Sequence, residues 1–241
     1  MAVEWTDLGL VLSVRKHGEH DIILHALTEQ HGHHAGVVKG GAGRRARGLY
    51  QPGNRLHVRW RARLEDHLGM FVCEPDRMFV AGALHDRMML TAMTAVCAMA
   101  EAVLPEREVH PLAYQQACHL LETLGEPGWP ADYVLWEMHL LNELGFGLDL
   151  SSCAATGVTE DLIYVSPKSG RAVSRNAGIP YKGQLRDLPP FLRTETPEQS
   201  SVDDVVAGLD LTGFFLERHL CAPHQKTLPD ARQRLRAIVA K

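Results

Sequence analysis

Arg55-Leu56-His57-Val58-Arg59-Trp60-Arg61-Ala62-Arg63-Leu64 alternates without a break. Leu56, Val58, Trp60, Ala62 and Leu64 fall on one parity, and Arg55, His57, Arg59, Arg61 and Arg63 on the other. Successive side chains of a strand point to opposite faces. The segment therefore predicts a strand whose apolar set enters a core while its basic set stands outside as a row with a spacing of about 6.6 Å.

The neighbouring sequence has the same short-strand texture. Asp7–Val14, Asp21–Thr28, His34–Lys39 and His67–Cys73 are rich in Val, Ile and Leu, and Gly18, Gly32, Gly40–Gly43, Pro52-Gly53 and Gly69 punctuate them. Five short strands in about 75 residues suit a small OB-type β-barrel. From about Ala81 the texture becomes helical: Leu84–Leu104 lacks Gly and Pro, with Pro105 just beyond it, and Pro111–Leu124 and Ala131–Leu144 follow. In the last of these, Val134, Leu135, Met138, Leu141 and Leu144 recur at helical spacing and predict the buried face.

Leu148–Arg193 interrupts the helices with a hairpin turning at Ser166–Gly170. Ser201 with Asp204 predicts a capped helix, and Asp230–Ala240 a terminal one. The expected fold is α+β. A five-stranded OB-type barrel occupies residues 1–80, and a mostly helical domain occupies 81–241, with the hairpin region inserted at about 148–193.

The net charge of −4 is unevenly spread. Between Gly36 and Arg63 stand Lys39, Arg44, Arg45, Arg47, Arg55, Arg59, Arg61 and Arg63 with no Asp or Glu, so this segment carries +8 and the remainder −12. Arginine's planar fork suits phosphate, and a row of such groups gives salt-sensitive binding that does not depend on base sequence. The loop Lys39–Gly48, K-G-G-A-G-R-R-A-R-G, adds mobile backbone and further cations, and is expected to join the strand row in one DNA-binding surface. A solvated row that keeps an exposed strand from pairing is the plainer alternative.

Little else points to chemistry. No G-x-S-x-G elbow is present, and Cys97 and Cys118 sit in apolar helical stretches as small hydrophobes. The histidines at 17, 20, 25, 31, 33 and 34 match no metal-ligand spacing and are expected at the surface. Five scattered cysteines argue against a disulfide framework. No catalytic residue, cofactor or metal is expected. Without an apolar run of about 18 residues or a secretory start, the expected location is the cytoplasm.

The order of D-L-G-L-V-L-S-V-R-K-H-G-E-H-D-I-I-L-H-A-L-T (7–28), V-V-K-G-G-A-G-R-R-A-R (37–47) and L-Y-Q-P-G-N-R-L (49–56) resembles the amino-terminal OB domain of the RecO family of bacterial recombination mediators. L-L-N-E-L-G-F-G-L-D-L (140–150) resembles the helix and glycine turn that enter the family's zinc-binding region. Many members hold zinc there with two C-x-x-C pairs. At the corresponding positions this chain has Cys153, Thr156, Ser174 and Ala177, and one thiol of four cannot make a tetrahedral site. The resemblance implies a nucleoid-associated protein that binds single- and double-stranded DNA, anneals complementary strands, engages single-strand DNA-binding protein and works with RecR to load recombinase. Phe214, Phe215 and Arg218 are the residues expected to receive an acidic partner tail. An RNA-binding OB module, a metal-dependent enzyme built on the histidines and an interaction scaffold are the rival readings.

Overall fold

The computed structural model describes residues 2–44, 46–194 and 196–241. Arg45 lies outside them. The chain divides into two compact units, residues 1–124 with 229–235 and residues 125–228 with 236–241.

The first unit contains a closed five-stranded barrel in the order β1-β2-β3-β5-β4. Its strands are β1 (Val3–His17), β2 (Asp21–Thr28), β3 (Gly32–Val38), β4 (Arg55–Ala62) and β5 (Met70–Arg77). Closure depends on the length of β1, which serves two neighbours. Val3–Leu10 pairs with β4 and Gly9–His17 with β2, with an irregularity between Val11 and Ser13 that bends the strand. A parallel pairing, Val37 opposite Met70, joins β3 to β5.

β4 follows its alternation as far as Ala62. Leu56, Val58, Trp60 and Ala62 are buried with Val11, Ile22, Leu24, Val38 and Phe71 in the barrel core. The Trp60 indole N–H donates to the carbonyls of Ala35 and Leu68, 3.2 Å each. The last two residues of the expected strand depart from it. Arg63 and Leu64 form a bend, and Leu64 is 54% exposed. The chain must turn here to return as β5, which starts at Met70 rather than His67.

His33 and His34 are buried, contrary to the surface placement expected of them. β3 begins at Gly32, so both lie within the ladder, opposite Leu27 and Ala26. The His34 ring stacks near Trp5 and Trp60, with centroids 5.0 and 5.3 Å away.

Three helices complete the first unit: α1 (Phe79–Ala83), α2 (Arg87–Val103) and α3 (Pro111–Glu122). α2 starts at Arg87 rather than Leu84 because the Asp86 carboxylate accepts from the Met88 and Met89 N–H groups and caps it. Its Cys97 thiol donates to the Val11 carbonyl at 3.4 Å, bringing the helix against β1.

The second unit has α4 (Trp129–Glu143) and a small sheet β7-β6-β8, formed by β6 (Leu162–Val165), β7 (Ala172–Ser174) and β8 (Arg186–Asp187). Short helices α5 (Arg175–Gly178) and α6 (Phe191–Thr194) and a 3-10 turn (Ile179–Gln184) surround it, followed by α7 (Val202–Leu216). A final helix, α8 (Asp230–Val239), has its residues up to Leu235 in the first unit and the rest in the second. The β6–β7 hairpin closes at Gly170, whose N–H donates to the Ser166 carbonyl at 2.9 Å.

Ser201 and Asp204 cap α7 reciprocally. α4 buries Tyr133, Val134, Trp136, Glu137, Leu140 and Leu141, whereas Leu135, Met138 and Leu144 of the expected face are only half-buried. Two bulky aromatics outcompete the aliphatic stripe for the interior. The Thr212 hydroxyl of α7 donates to the buried Glu137 side chain at 2.5 Å, giving a polar group in the interior a hydrogen-bond partner.

Candidate nucleic-acid interface

The outer face of β4 presents His57, Arg59 and Arg61, all exposed. Their register sets the neighbours. Arg59 stands between Thr6 of β1 and Val72 of β5, and Arg61 between Glu4 and Met70. Glu4 lies 3.9 Å from both guanidinium groups in an exposed setting, where such contacts are weak. One carboxylate facing two arginines leaves the row cationic.

Val72 and Met70 are half-exposed beside these arginines, and Leu64 and Leu68 on the following bend also reach water. The face is thus an apolar strip interleaved with cations. A groove of ≈ 630 Å³, lined by Thr6, His57, Arg59, Val72, Glu29 and Glu74 among others, runs beside it. Arg107 approaches the same bend, donating to the His67 carbonyl at 3.1 Å. Nothing in the sequence signals that contact, since 40 residues separate the partners. The exposed Val72 and Met70 were legible in principle, because they share the outward parity of β5.

Arg55 does not belong to the row's free charge. Its side chain is largely covered, held by Asp76 at 2.5 Å and lying 3.7 Å from Glu122, so it braces the barrel. The glycine-arginine loop lies elsewhere. The Ala42 N–H donates to the His20 carbonyl at 2.9 Å, and a cavity of ≈ 300 Å³ places Arg47 and Gly41 with Val14, Lys16 and Tyr50.

The loop therefore sits at the β1–β2 turn, whereas Arg59 and Arg61 sit opposite the start of β1. At its other end the loop returns to Asn54, next to Arg55 at the start of the strand that carries the row. Exposed Lys16 lines the loop's cavity with Arg47, and Arg44 of the loop is exposed, whereas Arg15 turns to Glu101 of α2 at 3.6 Å. Lys39 anchors the loop's start, its ammonium 2.7 Å from Asp21, and that contact with the Gly40 N–H holds the Asp21 carboxyl below its ordinary range. Buried Asn54 anchors the end, donating to the carbonyls of Gly48 and Leu49 at 2.9 and 3.2 Å.

In the second unit, Phe214 lies half-buried between two guanidinium groups, Arg186 at 4.5 Å and Arg218 at 5.9 Å from its ring centre. Phe215 is 1% exposed. It packs in the core and is out of a partner's reach, because α7 turns it about 100° from Phe214 toward the interior, the two rings meeting edge to face at 5.1 Å.

The four positions corresponding to the family's zinc ligands do not fit the metal. The Cys153 sulfur accepts from the Ser174 N–H at 3.3 Å and from its hydroxyl at 3.4 Å. Burial disfavours the Cys153 thiolate, but donation from Ser174, Thr156 and the Ala155 N–H outweighs it and brings the thiol down to about 6. Hydroxyl donors have replaced thiolate ligands around this sulfur. Among the described residues no group of three or more His, Cys, Asp or Glu is disposed to hold a metal ion, and no helix is long and apolar enough to cross a membrane.

These features define an α+β protein of two compact units, one holding the OB-type barrel with its cationic residues and α1–α3, the other mostly helical with a small sheet. The family model described as Recombination protein O N terminal matches residues 1–72, and Recombination protein O C terminal matches 84–229. The DNA repair protein RecO of Cereibacter sphaeroides is 48% identical over 241 residues, covering 99% of each chain. That of Rhodospirillum rubrum is 47% identical over 238 residues, covering 96% of this chain and 94% of the relative. That of Beijerinckia indica is 46% identical over 241 residues, with 99% and 96% covered. The chain belongs to the RecO family of DNA repair proteins.

Proposed function

We propose that this protein is a non-enzymatic recombination mediator of the bacterial cytoplasm and nucleoid. It binds single- and double-stranded DNA, anneals complementary strands, engages single-strand DNA-binding protein, and with RecR helps load recombinase onto gapped DNA. The observation that carries this reading is the outward row of Arg59 and Arg61, interleaved with Val72 and Met70 and followed by exposed Arg63 on the bend. Guanidinium groups neutralise phosphates and release counterions, while exposed apolar side chains offer bases a surface. Arg44, Arg45 and Arg47, with Lys39 at the loop's root, supply a second contact to the same polyanion.

Annealing needs strands held near one another and no bond made or broken. The tail of single-strand DNA-binding protein is assigned to the Phe214 ring with Arg186 and Arg218. The test of DNA binding is fluorescence anisotropy of single-stranded DNA across a salt series, wild type against the Arg59, Arg61 and Arg63 triple alanine variant. Loss of three phosphate contacts should flatten the log–log salt slope by about 2. An unchanged affinity and slope would sink the reading.

A further inference from the structure

Residues 162–194 carry a concentration of positive charge that the barrel patches leave unused. Lys168, Arg171, Arg175, Lys182, Arg186 and Arg193 face a single acid within the segment, Asp187. Arg171 and Arg175 are balanced from outside it, by Asp149 and Asp161 at 3.1 Å each. Lys168, on the β6–β7 turn, and Lys182, on the 3-10 turn, are exposed.

A mainly apolar groove of ≈ 370 Å³ opens here, lined by Ala155, Val173, Ala177, Leu185, Tyr181 and Lys168 among others. Two large apolar side chains of the 3-10 turn stand in water, Ile179 at 68% and Tyr181 at 57% exposure. Ala177 occupies a position that the family resemblance assigns to a zinc cysteine, so this wall is apolar where a ligand would be charged.

We infer that this groove is a second, separate contact for single-stranded nucleic acid, with a base stacked on Tyr181 and neighbouring phosphates met by Lys168 and Lys182. An exposed aromatic ring beside cations on an apolar floor is the composition of a sequence-tolerant single-strand site. Lys168 lines the groove with Tyr181 and exposed Lys182 follows the tyrosine in sequence, cations from two segments that suit a chain of repeated phosphates better than a single peptide carboxylate. The site belongs to the second unit and does not depend on the barrel patches.

The test uses the full chain and a short single-stranded oligonucleotide carrying 5-iododeoxyuridine. After irradiation, crosslinked peptides are mapped and binding stoichiometry is measured for wild type, for Tyr181→Ala with Lys168→Ala and Lys182→Ala, and for Arg59→Ala with Arg61→Ala. Wild type should give an adduct within 177–185 that persists in the barrel variant. The triple groove variant should lose that adduct and weaken the second binding event about 10-fold, the loss of roughly one stacked base, while keeping the barrel event. No adduct in this segment with unchanged stoichiometry overturns the inference. So does occupation of the groove by an acidic peptide that the oligonucleotide cannot displace. Failure of the barrel variant to change binding would count against the barrel reading alone.

Discussion

At the scale of the residue, burial has recruited side chains that the sequence presents as surface polar groups. His34 is held neutral by its buried position between Trp5 and Trp60, with Arg107 adding to the effect, and its imidazolium forms only near pH 4. The unfolded chain takes up that proton near 6.5. Stability that is present above 6.5 is therefore lost as pH falls from 6.5 toward about 4, with His33, shifted in the same direction by burial, adding to it. Urea unfolding at pH 7 and pH 5 should show this loss, and His34→Phe should reduce the difference; an identical pH dependence in the variant would refute the assignment. Asn54 makes a different contribution. With its amide shared between two loop carbonyls and its oxygen accepting from the Val80 N–H at 3.3 Å, Asn54→Ala should cost about 1–3 kcal/mol in chemical denaturation.

At the scale of the element, the β4–β5 connection shows how a turn decides where a cationic row ends. Gly69 adopts φ +68°, and a Cβ there would come within 2.4–2.6 Å of the Trp60 indole ring. Gly69→Ala should destabilise the protein by more than about 1 kcal/mol. Gly48, with no neighbour within 4 Å of an added Cβ and no positive φ, should tolerate alanine with little change in melting temperature. If both substitutions behaved alike, the turn would not be the constraint on this hairpin. The strict alternation of Arg55–Ala62 was legible because side-chain parity is a local property of an extended chain. The exposure of Leu64 was not, because the end of a strand depends on where its neighbours stop.

At the scale of the whole molecule, charge separation rather than total charge governs docking. Residues 36–63 carry +8 against −12 for the remainder, and the loop's start lies at the β1–β2 turn while Arg59 and Arg61 pair with the start of β1. Groups separated by more than 7–10 Å contribute to binding almost independently. Arg59→Ala with Arg61→Ala, and Arg44→Ala with Arg47→Ala, should therefore lower DNA affinity additively to within roughly 0.3–0.5 kcal/mol. Strong coupling in the combined variant would mean that the loop closes onto the row when DNA is bound.

The sequence by itself determined the barrel strands, the outward arginine row, the capped helix at Ser201 and the family, because these rest on local periodicity, caps and residue order. Tertiary structure alone decided that Arg55 is a brace, that Phe215 is core, that Arg107 reaches the β4–β5 bend, and that the loop's start is held at the β1–β2 turn. Each of these depends on which distant segment lies opposite. Hydrogen bonds and packing across tens of residues carry that information, and neither composition nor spacing records it.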